Sequence, residues 1–464
     1  MLHFSLKIAK IAFLVLLLFP HFSFAQGMIK EKADLPLYNT VVKDFLPDDS
    51  VGCAIMIVKQ GKVAYKSAIG KADIGLNVPL RSDMLFEIGS ISKQFAAVAI
   101  LQLVEQNKIR LDQNIKDFFP DYPTQKYVIT IENLLTHTSG ITDDVKEFDE
   151  NKLDFWKFSQ QETINFFKNI PLKFEPATQT SYSNPAYLLL GYIIEKVTGK
   201  SYENYIKENI FKPCDMQTAY VYHFGEIIPN QVRGYERNEQ NKIVNARPDY
   251  IDNKPAGGLI MSIDDYWKWH RALFSYQIIK KETLAKAITP FKLKDGKTTS
   301  FGYGFEIDNA FGVPIVYHGG RTFGFNTQAM YAPKEDVLVL VFNNQSMANL
   351  TSMTTILLHL AVDKKYNFSQ ILVEENVLDK YVGKYKWNEI TDQHVVIYKK
   401  NGKLFFKDSY SPQPCEMRFT TKNSFFMYDF GFMMTNTFLE DANGKITGFR
   451  VSGNNEKFDA KKVE

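Results

Sequence analysis

Ser90 and Lys93 lie three residues apart, where an apolar stretch gives way to a helical pattern. Side chains at this spacing on a helix share one face and lie one turn apart, so the hydroxyl and the amine could touch. A serine nucleophile needs a neighbouring group that takes its proton and backbone N–H groups that hold an oxyanion. A helix N-terminus also favours developing negative charge. The pair therefore indicates acyl transfer through a serine nucleophile.

Two further motifs give this pair a context, since a lone Ser-x-x-Lys pattern is expected by chance in a chain of 464 residues. Tyr182-Ser183-Asn184 lies in a proline-bounded loop just before an apolar helix, and His318-Gly319-Gly320 ends an apolar strand. In chain order, a helix offers a serine and a lysine, a loop offers a tyrosine and an asparagine, and a strand offers a histidine with glycines. Together they indicate a catalytic site rather than a helix-capping serine beside a solvated lysine.

The same short patterns also occur at Tyr202-Glu203-Asn204 and His223-Phe224-Gly225. Tyr202 stands at a helix start among charged neighbours, and no landmark follows His223, so we interpret both as structural. His137, a loop histidine beside a threonine, is interpreted as a residue that satisfies local hydrogen bonds. The chain contains no Gly-x-Ser-x-Gly elbow, which argues against an α/β-hydrolase.

Apolar, β-branched runs at both ends of the region before His359 predict strands. Val51–Val58 and Val63–Ile69 form a predicted hairpin. Strands return at Val313–Tyr317 and Val337–Phe342, with a further one at residues 327–331, after a mixed and aromatic middle with helical patterns. This order predicts an α+β fold in which both ends of the domain build one antiparallel sheet flanked by helices, with a helical region inserted between them.

Apolar helices are predicted next to the motifs. Phe95–Val104 is strongly apolar, which predicts a mostly buried helix behind Ser90. Tyr187–Val197 follows the tyrosine motif. Ile263–Phe274 is predicted to be a helix because Ser262 can cap it and two aspartates lie in its first turn.

After His359 the mixed helical and strand patterns give way to a linker-like stretch and then to short alternating strands, which indicates a second domain. Residues 26–362 are predicted to form the larger domain, residues 363–375 a linker, and residues 376–464 a small all-β domain, either a meander or a barrel. The small domain has short alternating strands, with hairpin turns expected at Asn401-Gly402 and Asn443-Gly444. We expect it to fold separately and to contain no catalytic residue.

Residues 1–25 have the features of a signal peptide. Lys7 and Lys10 form a basic start, Ile11–Phe19 is an apolar run too short to span a bilayer, and Ser23-Phe24-Ala25 offers a cleavage site. An uncleaved anchor is the alternative interpretation. We expect export to the periplasm or the medium, with no membrane span left after cleavage.

The composition is that of an ordinary globular protein, with 45% hydrophobic and 23% charged residues. Removal of the two signal-peptide lysines lowers the formal net charge from +3 to +1, so charge gives no case for nucleic-acid binding. Cys53, Cys214 and Cys415 do not form a disulfide scaffold, and whether any of them pair stays open. Their spacing matches no zinc site and there is no His-Glu-x-x-His motif, so we expect no metal and no cofactor.

The motifs resemble those of the serine β-lactamase-like superfamily, in the branch that contains class C β-lactamases, DD-peptidases and many esterases. Leu85–Phe95 is similar to the nucleophile motif of that family, and Leu134–Ile141 to its loop marker. Pro255–Ser262 and His318–Phe325 match its later landmarks, so the resemblance covers roughly residues 35–360. It implies a β-lactamase/transpeptidase-like fold and a serine hydrolase that forms an acyl-enzyme.

The resemblance also implies a role for the helix and loop residues. Ser90 attacks a carbonyl, and the family pattern makes Tyr182 the proton acceptor, although the sequence does not choose between Tyr182 and Lys93 as the base. Lys93 and a protonated His318 would favour the tyrosine phenolate. Asn184 is expected to hold Lys93 and the amide of the substrate.

The strand motif supplies the other implied parts of the site. The backbone N–H groups of Ser90 and Arg321 form the oxyanion hole, while Gly319 and Gly320 let the substrate lie close against the strand. Class C β-lactamases have a lysine where this chain has His318. Because a histidine is only partly charged near pH 7, this departure argues against efficient β-lactam hydrolysis and leaves the β-lactamase alternative open.

We therefore expect an exported serine hydrolase that acts on an ester or a D-amino-acid-containing peptide, which makes small molecules, peptides or peptidoglycan its partners. A class C-like β-lactamase is one alternative, and a non-catalytic penicillin-binding-like sensor or cell-wall binding protein is another. The intact set of Ser90, Lys93, Tyr182 and His318 argues against a non-catalytic protein. The sequence does not predict the oligomeric state.

Overall fold

The computed structural model describes residues 35–46, 51–142, 160–223, 225–240, 242–247, 254–310, 312–346, 350–364, 371–388, 394–408, 414–427, 435–453 and 456–463. The helices are α1 (Leu35–Phe45), α2 (Ser92–Glu105), α3 (Ile131–Leu135), α4 (Gln160–Lys168), α5 (Asn184–Thr198), α6 (Tyr202–Ile206), α7 (Lys254–Gly257), α8 (Ile263–Phe274), α9 (Lys281–Ala287), α10 (Leu350–Ala361) and α11 (Glu375–Leu378). The strands of the larger domain are β1 (Cys53–Lys59), β2 (Lys62–Ile69), β3 (Lys71–Asp73), β4 (Val78–Pro79), β5 (Phe86–Glu87), β6 (Tyr220–Val221), β7 (Tyr235–Arg237), β8 (Ile243–Asn245), β9 (Leu259–Met261), β10 (Glu306–Ala310), β11 (Val313–Thr322), β12 (Phe325–Ala332) and β13 (Val337–Asn343). Those of the C-terminal region are β14 (Gly383–Trp387), β15 (His394–Lys400), β16 (Lys403–Asp408), β17 (Cys415–Glu416), β18 (Arg418–Phe419), β19 (Ser424–Phe426), β20 (Thr435–Glu440), β21 (Ile446–Gly453) and β22 (Glu456–Lys462).

A six-stranded antiparallel sheet lies at the centre of the larger domain, in the order β10-β11-β12-β13-β1-β2. One pairing joins the two ends of the domain, with Cys53 of β1 opposite Asn343 of β13 and Lys59 opposite Val337. The prediction of one antiparallel sheet built from both ends of the domain is therefore confirmed. The predicted β1–β2 hairpin is also present, and β11 continues beyond the predicted strand as far as Thr322.

Helices cover both faces of this sheet, which explains why its inner strands are apolar without alternation. Along β1, Ala54 and Met56 face a core shared with α2, α5 and α8. Ile55 and Ile57 face the opposite core, which is shared with α1 and α10. All seven residues of β13 are buried for the same reason.

The helix α2 lies inside the first of these cores. Phe95 stacks on Trp269 of α8 with ring centroids 4.2 Å apart, and Lys93 has 0% of its surface exposed. The predicted buried helix behind Ser90 is confirmed. The predicted start of α8 is present too, because the Ser262 hydroxyl accepts a hydrogen bond from the Asp265 N–H at 3.2 Å.

The C-terminal region forms a nine-stranded antiparallel sheet in the order β17-β16-β15-β14-β22-β21-β20-β19-β18, which is nearly closed and barrel-like. Aromatic rings fill its core, and Tyr381 stacks on Phe438 at 4.0 Å. Asn401 and Gly402 both have positive φ, 52° and 72°, as the predicted two-residue hairpin turn requires. The small all-β region is confirmed. The sequence pattern did not identify β20 or β22, since β22 is mostly charged and its only apolar residues are Phe458 and Ala460.

The C-terminal sheet contacts the larger domain through β19. Phe425 packs in the aromatic core of the sheet, whereas its neighbour Phe426 packs in the core that contains α1 and α10. The predicted linker ends where α11 begins, at Glu375, and residues 365–370 of it lie outside the described residues, as does the predicted signal peptide. The domain boundaries themselves stay a prediction.

Cys53, Cys214 and Cys415, all of which lie among the described residues, are buried and form no disulfide with one another, which answers the question that the sequence left open. Burial raises the pKa of the Cys214 thiol to about 12, so this thiol is unreactive near neutral pH. In the part of the chain that the structure describes, no helix has the length and apolar character needed to cross a membrane.

Candidate active site

Ser90 lies on a short 3-10 turn, Gly89–Ile91, that leads directly into α2. The sequence pattern had placed Ser90 at the start of the α-helix itself. Lys93 lies in the first turn of α2, three residues after Ser90. Lys93 reaches back along this turn, and its Nζ lies 3.1 Å from Ser90 Oγ.

Lys93 is the centre of a buried hydrogen-bond arrangement. Its Nζ lies 2.8 Å from Asn184 Oδ1 and 2.6 Å from the carbonyl oxygen of Ala256, in addition to Ser90 Oγ. An ammonium group would donate to all three oxygens. A neutral amine would donate to Asn184 and Ala256 and accept the hydroxyl proton of Ser90. The geometry thus fits both an electrostatic role and a base role for Lys93.

The start of α5 presents Asn184 to the lysine. Ser183 caps this helix, since its Oγ accepts a hydrogen bond from the Ala186 N–H at 3.1 Å. Pro185 in the first turn lacks the N–H that would otherwise need a partner. Asn184 is the first residue of the helix, and Tyr182 lies just outside it. The Tyr-x-Asn motif is therefore a helix cap that places two side chains at the site.

Tyr182 lies beside both Lys93 and the strand motif. The centre of its ring is 4.7 Å from Lys93 Nζ and 6.3 Å from the centre of the His318 ring. The phenol ring therefore lies beside the amine that contacts Ser90, as expected of a tyrosine that takes the serine proton.

His318 is buried, with 2% of its surface exposed. Its Nδ1 donates a hydrogen bond to the Gly319 carbonyl oxygen at 2.6 Å, so Nε2 bears the lone pair of the neutral ring. Burial, and secondarily the charge of Lys93, lower the pKa of His318 to about 3. The expectation of a protonated His318 that favours the Tyr182 phenolate is therefore wrong, because a buried imidazole next to Lys93 stays neutral near pH 7.

The second half of β11 forms an open edge beside Ser90. The β10 ladder ends at the Glu306–Tyr317 pair, so, among the described residues, residues 318–322 pair only with β12. A Cβ atom on Gly320 would lie 1.9 Å from the Ile88 carbonyl oxygen, and one on Gly89 would lie 2.6 Å from the Arg321 nitrogen. The strand and the Ser90 turn therefore touch through their backbones, which only glycine permits here.

This contact places the Arg321 backbone nitrogen next to the turn that carries Ser90, as an oxyanion hole requires. The Arg321 side chain itself is exposed. The Thr327 hydroxyl donates to the Ile88 carbonyl oxygen at 2.9 Å and lies 3.4 Å from that of Gly320, so it bridges the two backbones.

The second occurrences of the two short patterns, at Tyr202 and His223, lie outside the candidate site. Tyr202 is buried in the helical core on α6, where burial raises the pKa of its phenol. His223 pairs with Glu203 at 2.8 Å. The sequence interpretation missed two contributors: the Ala256 carbonyl, within a landmark of the family resemblance, and His137, whose ring stacks on Tyr182.

The fold and the site together define a serine hydrolase with a β-lactamase/transpeptidase-like architecture. Residues 40–361 match the profile of the Beta-lactamase family, and the chain belongs to this family. A penicillin-binding protein of Bacillus subtilis (strain 168) is 30% identical over 316 residues, which span 63% of this chain and 68% of that protein.

Solved structures show the same fold. The octameric penicillin-binding protein homologue from Pyrococcus abyssi has a TM-score of 0.67 and 24% identity, and the likeness covers 92% of this chain and 100% of that chain. This structural likeness therefore extends beyond residues 40–361, which match the family, into the C-terminal region. D-amino acid amidase from Ochrobactrum anthropi SV3 has a TM-score of 0.60 and 22% identity over 70% of this chain and 100% of that chain.

Proposed function

We propose that this protein is an exported serine hydrolase that forms an acyl-enzyme on Ser90 and acts on an ester or a D-amino-acid-containing peptide or amide. The observation that supports this most directly is the buried Lys93, which joins Ser90 Oγ to Asn184 and the Ala256 carbonyl next to Tyr182. A hydroxyl held by a buried amine, with a phenol alongside, has the features of an activated nucleophile.

Catalysis proceeds in two steps. The Ser90 hydroxyl attacks the substrate carbonyl, so that an Oγ–C bond forms and the proton passes to Tyr182 or Lys93, while the N–H groups of Ser90 and Arg321 stabilise the oxyanion. Collapse of the tetrahedral intermediate breaks the bond to the leaving alcohol or amine, which takes up the proton. Water then attacks the acyl-serine, releases the acid and restores the Ser90 hydroxyl.

The neutral His318 bears on the choice of substrate. A lysine at this position would offer a permanent cation for the carboxylate of a β-lactam, and an uncharged imidazole does not. Small esters and D-amino-acid amides carry no such carboxylate and so do not need that cation. The similarity to a penicillin-binding protein and the fold shared with a D-amino acid amidase support these classes as the first to test.

Export is proposed from the N-terminal sequence, in which a basic start, a short apolar run and Ser23-Phe24-Ala25 precede Gln26. We predict that the protein recovered from the periplasm or the medium begins at Gln26, which mass spectrometry of the intact chain would show. A chain that keeps its first residue and stays with the membrane would instead support the anchor interpretation.

The function is tested by labelling purified protein with a fluorophosphonate and assaying p-nitrophenyl esters, D-Ala-D-Ala peptides, D-phenylalanine amide and nitrocefin. We expect the label on Ser90, turnover of an ester or D-amino-acid substrate, and slow turnover of nitrocefin. Ser90→Ala should lose labelling and turnover while it keeps its fold. Ser92→Ala is the matched control, because the buried Ser92 hydroxyl accepts a hydrogen bond from the Leu259 N–H at 3.0 Å and serves the fold.

Two outcomes would contradict the proposal. Undiminished labelling of Ser90→Ala would show that another residue is the nucleophile. Labelling of Ser90 without turnover of any of the substrates would favour a non-catalytic penicillin-binding-like protein.

A further inference from the structure

Tyr182 is tied on both sides to one residue of a neighbouring loop, His137. The Ser181 N–H donates to the His137 carbonyl oxygen at 3.0 Å, and the Ser183 N–H donates to Nδ1 of the His137 ring at 3.1 Å. The Thr180 hydroxyl also donates to that carbonyl, at 3.2 Å. The backbone on either side of the tyrosine is thus fixed by a single residue more than forty positions away, as the separation of 46 between Ser183 and His137 shows.

The ring of His137 is in contact with the ring of Tyr182 as well. The two rings stack with centroids 4.5 Å apart and an interplanar angle of 25°. Tyr187 and Phe301 lie against the imidazole at 5.1 Å and 4.9 Å, so the imidazole is held by rings other than that of Tyr182. A ring held in this way can serve as a fixed surface for the tyrosine.

Histidine meets several requirements of this position at once. Its backbone has a φ of 57°, in the left-handed region that few residues other than glycine and asparagine adopt. Its ring is flat enough to stack, and Nδ1 can accept a hydrogen bond only while it is unprotonated. Burial and the charge of Lys93 lower the pKa of His137 well below its usual value, which keeps this acceptor available.

We propose that His137 is a positioning residue for Tyr182, which holds the tyrosine next to Lys93 and Ser90 through the ring stack and the two flanking backbone hydrogen bonds. The inference rests on the proposed function for its kinetic consequence, since it assigns to His137 an effect on acylation that acts only through Tyr182.

Two substitutions separate the contributions of His137. His137→Asn keeps a residue that tolerates the left-handed backbone and offers an acceptor oxygen, but it removes the ring stack. His137→Gly also tolerates the backbone and removes both the acceptor and the ring. The matched control is His270→Asn, because His270 is likewise buried and lies 4.4 Å from Phe274 and 4.5 Å from Tyr331, with no place in the active site.

For p-nitrophenyl acetate we expect kcat to fall about 10-fold in His137→Asn and about 10²-fold in His137→Gly, with KM little changed; the larger loss reaches the lower end of the range for a lost acid–base group. His270→Asn should keep its kcat. In a Tyr182→Phe background, His137→Gly should cost less than about 2-fold, because its effect passes through the tyrosine hydroxyl. An equal loss in both backgrounds would overturn the inference, since it would show that His137 supports the fold independently of Tyr182.

A crystal structure of His137→Gly tests the same inference without any need for turnover. We expect the Tyr182 ring to move away from its place beside Lys93, whereas it should stay in place in His270→Asn. A Tyr182 ring that keeps its position in His137→Gly would overturn the inference. Failure of the wild-type protein to label at Ser90 would instead overturn the proposed function, so the two failures are distinguishable.

Discussion

Lys93 is the residue on which the chemistry of the site depends. Burial of an ammonium without compensation costs several kcal/mol, because water is removed from the charge. Three oxygen acceptors, from Ser90, Asn184 and Ala256, replace that water. The same three oxygens also fit a neutral amine that accepts the Ser90 proton, so proton transfer between Ser90 and Lys93 requires no rearrangement of these atoms.

Tyr182→Phe separates the phenol from the lysine as the base. The phenylalanine keeps the stack on His137 and lacks only the hydroxyl, so we expect kcat for an ester to fall by about 10² or more if the tyrosine takes the proton. Tyr202→Phe is the control, because the buried Tyr202 hydroxyl has no hydrogen-bond partner among the described residues. Greater damage from Tyr202→Phe would show that the second motif was wrongly assigned.

The pH dependence of kcat/KM tests the charge of His318. Since burial lowers the pKa of His318 to about 3, the ring stays neutral through the range in which an ordinary histidine loses its proton, near pH 6.5. We therefore expect that titration of this residue causes no rise or fall of kcat/KM between about pH 5 and pH 8. The alkaline decline that a required imidazolium would cause should therefore be absent.

His318→Gln provides the comparison for that profile, because it keeps a neutral polar side chain. It should lower kcat/KM without changing the shape of the profile over this range. A limb near pH 6.5 in the wild type that disappears in His318→Gln would contradict the neutral assignment.

At the scale of elements, the oxyanion hole depends on how closely β11 approaches the 3-10 turn. Gly89 and Gly320 permit that approach, and the Thr327 hydroxyl on β12 bridges the Ile88 and Gly320 carbonyls. We therefore infer that a residue of a third element helps to set the spacing between the N–H groups of Ser90 and Arg321 in the proposed oxyanion hole.

Thr327→Val should weaken this bridge. The substitution removes the donor to buried carbonyl oxygens, which costs about 1–3 kcal/mol where no other partner replaces it. We expect kcat for p-nitrophenyl acetate to fall about 10-fold, with KM changed much less, because an oxyanion hole acts on the transition state. Thr327→Ser keeps the hydroxyl and should retain most of the activity. Equal loss of activity in the serine and valine variants would show that the hydroxyl does not set the spacing.

At the scale of the whole molecule, the C-terminal sheet has its own aromatic core and packs on the larger domain through Phe426. None of the candidate site residues comes from this sheet. Its aromatic core is the kind of packing that lets a small domain fold by itself, and the catalytic dispensability of this sheet stays a prediction.

Limited proteolysis tests that prediction. We expect cleavage between Asp363 and Glu375 and an N-terminal fragment that keeps its activity on p-nitrophenyl acetate. Phe426→Ala should speed this cleavage because it weakens the contact with the larger domain, by about 3–5 kcal/mol if the side chain is fully lost from a core. Phe425→Ala, on the other face of the same strand, should instead unfold the C-terminal sheet. A soluble fragment ending near Lys365 that is inactive on every substrate would contradict the prediction.

Much of the fold and of the site could be predicted from the sequence, because these features depend on residues close together in the chain. The contact of Ser90 with Lys93 spans one turn, Ser262 caps its own helix, and Asn401-Gly402 makes its own turn. The long apolar runs of β1 and β13 predicted strands of one antiparallel sheet, and the structure shows that this sheet is covered on both faces. The charged β22 escaped prediction, because its pairing partners and not its own pattern make it a strand.

Other properties of the site came from contacts between distant segments. The carbonyl oxygen of Ala256, 163 residues from Lys93 in the chain, completes the hydrogen bonds of the lysine, whereas the contact with Asn184, 91 residues away, was already implied by the family resemblance. His318 is neutral and His137 holds Tyr182 only because several elements bury both rings. Spacing along the chain specifies which neighbours can touch, whereas protonation and position depend on the desolvation and the partners that packing brings from elsewhere in the chain.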